Sequence, residues 1–402
     1  MKIFLLLLLC AFQLPLVVQA RPEYANRHGI NRCTACHFSP AGGGLRNTNG
    51  KLYGSHGFKI SKYASQDFVS AEMRFVHYNP KGDGLDSEGR GLALMAGIIG
   101  GSVAITPEED SEATEIRAVF SHDVYNNTPW ATYIRFRRYE DTQTGWLPQY
   151  IVAGRFHAPF GIMTDEHRTY VKLQTVSDYN KKLESGAMFS AQPYDSFHYD
   201  IAIVNGEANN ATFANKGNAE LWGGLANLRW ISKYSWLPLT FGMSYKYYDQ
   251  AKNQHKPWAA SAYSLISLER LSGGWMRADL MFEYAQAKYL NDVAATSAGF
   301  PNATGTYYAN ILDSTSSGFF GQLNYYLSEK LVLQLKHDQL LYNRDYSADA
   351  YQKFGIGLKH YFAANSFFMY RWEKAEIGQP DEEKNPFHRA EDAVWAYLQV
   401  GI

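Results

Sequence analysis

The sharpest chemistry in the chain lies within one short stretch: Cys33 and Cys36, separated by Thr34 and Ala35, with His37 directly after them. The two-residue gap lets both thiols reach the two vinyl groups on one edge of a porphyrin, while the adjoining imidazole points at the iron from the proximal side. The spacing therefore predicts one covalently held haem c, anchored by Cys33 and Cys36, with His37 as the proximal iron ligand. Two other readings use the same cysteines. One is a redox-active or structural disulfide, which has no need of the histidine that follows. The other is half of a zinc site, which wants a second pair of Cys or His ligands of similar spacing that the sequence lacks.

A strong-field His or Met usually completes an electron-transfer haem, and the near candidates for that sixth position are His28, His56, Met73 and His77. Met73 lies in an alternating stretch where Val69, Ala71, Met73 and Phe75 share an apolar face and Ser70, Glu72 and Arg74 a polar one. That pattern turns Met73 away from a polar interior. His56, between Gly54-Ser55 and Gly57, sits on a glycine-flanked turn that is close enough to fold back over the haem, and it is the expected distal ligand. A plain loop histidine is the alternative at that position.

The residues before the motif set the compartment. Positions 1–20, MKIFLLLLLCAFQLPLVVQA, combine one Lys, an apolar core and a small-residue end at Val18-Gln19-Ala20, the layout of a cleavable export signal peptide. The mature chain is expected to begin at Arg21. A lipid anchor on Cys10 is the weaker reading, because Cys10 sits inside the leucine run without the small residues that precede a lipidated cysteine. Loss of Lys2 moves the formal net charge from -1 to -2 and leaves Cys33 and Cys36 as the cysteines of the exported chain, too few for a disulfide scaffold.

Composition narrows the class further. The chain has 402 residues, 15% aromatic and 19% charged, with a mean hydropathy of -0.34. Disorder needs few aromatics and a large net charge, and nucleic-acid binding needs a basic excess, so both are excluded. Beyond the leader no apolar run approaches the roughly 20 residues of a spanning helix. Instead, 29 Tyr, 23 Phe and 9 Trp are spread through alternating segments, which favours an all-β protein with many interfacial aromatics.

From about residue 67 onward the alternation has period two, one wet face and one dry. In 128–139, Trp130, Thr132, Ile134 and Phe136 oppose Ala131, Tyr133, Arg135 and Arg137; in 331–340, Leu331, Leu333 and Leu335 oppose Gln334, Lys336 and Asp338. Sixteen strands are expected, at 68–77, 91–105, 112–126, 128–139, 149–158, 184–193, 196–205, 218–231, 236–249, 258–270, 274–289, 316–327, 330–343, 351–362, 366–375 and 392–402. From residue 185, long connections near 206–217, 250–257, 290–315, 344–350 and 376–391 alternate with tight ones near 193–195, 232–235, 271–273, 327–330 and 363–366. A soluble sandwich can match the alternation, but not short turns at one end and long loops at the other. The expectation is an antiparallel transmembrane β-barrel of about 16 strands over residues 67–402, with both ends of the barrel chain periplasmic. Residues 21–66 are too few for an independent cytochrome core and are expected to form a small haem-binding plug walled by the lumen.

At this point the chain resembles the fused monohaem cytochrome-porins of iron-oxidising and related bacteria. The residues that carry the resemblance are the lead-in Tyr24-Ala25-Asn26-Arg27-His28-Gly29-Ile30, the Cys33-Thr34-Ala35-Cys36-His37 motif, and Gly50-Lys51-Leu52-Tyr53-Gly54-Ser55-His56-Gly57-Phe58. Ala153-Gly154-Arg155-Phe156-His157-Ala158-Pro159-Phe160-Gly161 and Ile203-Val204-Asn205-Gly206 look like stretches of phosphate-selective-type porins. The resemblance implies an outer-membrane electron conduit of the Fe(II)-oxidation type. In it, one haem c would pass electrons between an extracellular donor or acceptor, ferrous iron first among them, and a periplasmic c-type cytochrome or other electron carrier.

Two further functions compete with this one. A passive porin for small, even anionic, solutes would carry the haem or a disulfide in its plug and use Arg135, Arg137 and Arg155 as a basic ladder in the lumen. A haem-based sensor or peroxidase would leave the sixth position open. No Ser/His/Asp or paired-carboxylate arrangement stands out, so hydrolytic chemistry is not expected. Asp83, Asp86 and Glu88, and Glu108, Glu109 and Asp110, read as solvated loop charges.

Overall fold

A computed structural model describes residues 33–37, 39, 46, 50, 70–81, 91–106, 115–125, 128–138, 144–163, 169–175, 177, 183–205, 221–232, 234, 236–250, 256–288, 290, 315–328, 330–341, 344, 350–363, 366–377 and 392–401. The expected export leader at 1–20, with Cys10, lies outside these residues, as do His28, His56 and the acidic positions 83, 86, 88 and 108–110.

The strands are β1 (Ser70–Lys81), β2 (Gly91–Ala104), β3 (Glu115–Asp123), β4 (Thr128–Arg137), β5 (Tyr150–His157), β6 (Leu183–Tyr194), β7 (Phe197–Val204), β8 (Leu221–Ile231), β9 (Leu239–Gln250), β10 (Trp258–Ser267), β11 (Ala278–Lys288), β12 (Thr315–Tyr326), β13 (Leu331–Leu341), β14 (Ala350–Ala363), β15 (Ser366–Ile377) and β16 (Asp392–Gly401). Each pairs antiparallel with the next, and β1 pairs with β16 from Glu72↔Gly401 to Lys81↔Asp392, so the sheet closes into a sixteen-stranded barrel. Closure leaves no edge of unpaired backbone groups, which is the condition for a sheet to sit in lipid.

The alternation read from the sequence sorts side chains as a membrane requires. Met73, Ile134, Ile203, Met243, Ile356 and Val400 point outward and are exposed, while Arg135, Asp200, Lys246, Glu283, Asp338 and Gln399 point into the lumen and are buried. A soluble barrel has the opposite distribution. The chain is therefore an outer-membrane barrel with lipid around its girth. Exposed Trp146, Tyr194, Trp236 and Trp275 gather on the connections β4–β5, β6–β7, β8–β9 and β10–β11, at the rim where β1 begins and β16 ends. Aromatics at that level form an interfacial girdle.

Two connections differ from the sequence expectation. The strand expected over 258–270 stops at Ser267, whose hydroxyl accepts from the Arg270 backbone N–H and caps a one-turn helix, α2 (Leu268–Leu271). A Ser at that position offers the backbone a local partner and ends the ladder. The larger difference is the β5–β6 connection. It folds inward rather than away from the barrel, carrying Phe160, Ile162 and a short helix, α1 (Tyr170–Gln174), into the lumen, where Val171 is fully buried.

Candidate functional site

The Cys-x-x-Cys-His stretch forms a tight turn. Cys33–Ala35 is a single 3₁₀ turn, and the backbone N–H groups of Cys36 and His37 both donate to the Cys33 carbonyl, at 3.1 and 2.9 Å. His37 pairs through its backbone with Arg46 in an isolated antiparallel bridge, and both are buried. Gly50 packs so closely on the turn that a Cβ there would fall 2.1 Å from the Cys36 carbonyl oxygen.

The turn is held against the wall of the barrel at two places. On one side, Arg229 Nη1 donates to Cys33 Sγ at 2.7 Å. On the other, Arg46 Nη1 lies 4.0 Å from Glu72 Oε2, and Glu72 is also bound by Arg74. Arg229 is on β8 and Glu72 on β1, seven strands apart in a ring of sixteen, so the two latches sit on nearly opposite walls. Arg229 lies two residues before the end of β8 and Glu72 two residues after the start of β1. Cys33 and Arg46, the backbone partner of His37, thus meet nearly opposite walls near the short-turn rim.

Behind Cys33 a hydrogen-bond network continues into the barrel. Arg229 Nη2 donates to Asp200 Oδ2 at 2.9 Å, and Asp200 also accepts from Ser190 Oγ at 2.6 Å and Asn227 Nδ2 at 3.3 Å, with His198 Nε2 at 3.0 Å. Ser244 Oγ and Tyr263 Oη donate to Asn227 Oδ1 at 2.9 and 3.0 Å. Ser244 Oγ in turn accepts the Gly161 backbone N–H at 2.9 Å, which reaches the inward β5–β6 segment. Beyond it the Ile162 N–H donates to Glu283 Oε2 at 3.1 Å, and Lys172 Nζ pairs with the same oxygen at 3.0 Å. Gly161 adopts φ +63°, and a Cβ there would meet Glu283 Oε1 at 1.8 Å, so glycine is required at this close approach.

No family model matches the chain, and no curated protein matches it in sequence. Solved structures do match. An anion-selective porin from Comamonas acidovorans superposes with a TM-score of 0.53 at 8% identity, covering 84% of this chain and 99% of that one. OmpF of Salmonella typhi, in complex with daunomycin, gives a TM-score of 0.55 at 12% identity over 84% and 97%. OmpT of Vibrio cholerae gives 0.52 at 9% identity over 86% and 100%. The fold is a porin barrel.

Cys33, Cys36 and His37 on the lumenal turn are the donors that a c-type haem would take. The two sulfurs are free thiols rather than a disulfide. Among the described residues no group of three His, Cys, Asp or Glu side chains converges on a point that could hold a metal ion. Burial first, and then the neighbouring Cys33 sulfur, push the Cys36 thiol up to about 12, with Arg46 pulling the other way. Thioether formation consumes a thiol, adding sulfur to one vinyl carbon and hydrogen to the other.

The remaining candidates fall differently. Met73 is exposed on the lipid face, as its apolar neighbours imply, and His77 shares that face by strand alternation, so neither faces a lumenal haem. The basic ladder is also changed. Arg135 and Arg137 do face the lumen, but with Arg117 they surround Glu115, Arg135 Nη2 at 2.7 Å from its carboxylate. Arg155 stands opposite exposed Thr132 in register and belongs to the other face. Arg229, Asp200 and Asn227 were not anticipated as site residues. The signal available was their polar character at inward positions of otherwise apolar strands.

Proposed function

We propose that this protein is an outer-membrane electron conduit. One haem c on Cys33 and Cys36, with His37 as proximal ligand, would sit in the short-turn mouth of the barrel. The observation that carries the reading is the Cys33–His37 turn latched inside the lumen, with its thiols unbonded to each other and its histidine buried. When bound, the haem supplies one-electron redox chemistry at its iron. The chain supplies position: Arg229 and Glu72 fix the turn between opposite walls, and His37 is buried there. An apolar band roughly 25 Å tall otherwise blocks charge transfer across the membrane. Holding the motif within the barrel shortens that gap. The resemblance to the cytochrome-porins supports ferrous iron as the external donor and a periplasmic c-type cytochrome, or another electron carrier, at the short-turn rim. His56 remains the proposed distal ligand.

The porin likeness over 84% of the chain favours a second reading, a passive porin, and by itself it fits that reading better. The two separate by experiment. Protein from a host with haem-attachment machinery should keep peroxidase-active haem on a denaturing gel, and Cys36→Ala should remove it. In proteoliposomes enclosing a redox dye, external ferrous iron should reduce the dye in a His37-dependent way while sugars leak slowly. A colourless protein with fast sugar flux would establish the passive porin instead.

A further inference from the structure

We propose that Arg229, held by Asp200, is a positioning residue that docks the Cys33 turn on the barrel wall and sets the electrostatic environment of the haem; the inference rests on the electron-conduit reading. The guanidinium is spent on two contacts, one to Cys33 Sγ at 2.7 Å and one to Asp200 Oδ2 at 2.9 Å. Arg229 cannot swing away cheaply, because Asp200 is itself fully buried and fixed by Ser190 and Asn227 on three different strands. The register holds β7 and β8 together at this level, His198 opposite Arg229 and Asp200 opposite Asn227. A cation therefore touches the attachment residue, with an anion directly behind it. A charge in a low-dielectric interior acts far more strongly than in water.

The sign of the effect follows. A cation beside a redox centre favours the electron-rich form and raises the reduction potential, and an anion lowers it. Removing Arg229 takes the guanidinium from Asp200 and leaves His198 Nε2, at 3.0 Å, beside the carboxylate. Removing the Asp200 charge leaves the guanidinium uncompensated. The two substitutions should thus move the potential in opposite directions, whereas a packing defect that merely admits water would move it the same way in both.

The test uses the full-length haem-loaded protein in detergent and a parallel haem-free chain carrying Cys36→Ser, in which Cys33 is the remaining mature thiol. Spectroelectrochemical titration should give a potential below wild type for Arg229→Gln, above it for Asp200→Asn, and close to it for the charge-conserving Arg229→Lys. In the haem-free chain Arg229→Gln should speed maleimide labelling of Cys33 several-fold when rates are compared at full ionisation of the thiol, because the turn loses its dock. Potentials that stay put or shift in the same direction, or an unchanged labelling rate, overturn the proposal. If the wild type carries no haem, the conduit reading fails, while the labelling arm still decides whether Arg229 docks the turn.

Discussion

Cys36 shows how far its surroundings alter an ordinary thiol. Burial, and then the Cys33 sulfur, raise its pKa to about 12. The proton is therefore retained through neutral pH, and the thiolate, which is the reactive species, falls about tenfold for each pH unit below that value. In a haem-free Cys33→Ser chain, iodoacetamide should barely modify Cys36 at neutral pH, with the rate still climbing into strongly alkaline solution. A plateau near the ordinary thiol value of about 8.5 would show that the turn is open to water. Gly50 gives a second check at this scale. Its missing Cβ makes room for the Cys36 carbonyl, so Gly50→Ala should lower haem content per chain, read by haem stain against protein, and leave barrel migration on unheated gels unchanged. The motif itself was legible because covalent attachment demands contiguous spacing. Arg229 was not, since it meets Cys33 across 196 positions and no local pattern encodes so distant a partner.

The strands were legible for a related reason: lipid outside and water inside impose a period of two along each strand, and the alternation of short turns with long loops sets a barrel apart from a sandwich. Leu335 and Lys336 show the two faces, the first exposed and the second buried in the lumen. The inward β5–β6 segment escaped because it has no period, and what holds it lies on other strands: Ser244 of β9, Glu283 of β11, and Asp338 of β13, which accepts the Tyr170 N–H at 2.9 Å. The two-faced strand makes a direct prediction. Ile356 lies mid-strand on β14 and is half exposed to lipid, so Ile356→Arg should destabilise the barrel by about 2–4 kcal/mol, measured by urea unfolding in lipid vesicles. The same change at Gln334, buried on the lumen face of the neighbouring strand, should cost much less, because the lumen already accommodates Lys336 and Arg371.

At the scale of the whole molecule, two obstructions stand in series along the lumen: the haem-motif turn near the short-turn rim, latched at Arg229 and Glu72, and the inward segment pinned deeper at Glu283. Neither contributes a strand to the ring, which closes through β1 and β16 alone. Deleting residues 21–66 should therefore leave a barrel that still migrates as a folded species without heating. In planar bilayers its conductance should exceed that of the full chain, yet stay below that of an unobstructed sixteen-stranded pore, because the inward segment remains. Adding Glu283→Gln should release that second barrier. It removes one partner of a buried ion pair and leaves Lys172 as an uncompensated buried charge, a loss of about 3–5 kcal/mol. Conductance should then rise in two separable steps, the first with the deletion and the second with the substitution. A full opening on the deletion alone would mean that the inward segment does not obstruct the lumen. No opening until both are present would mean that the segment, rather than residues 21–66, sets the permeability of the barrel.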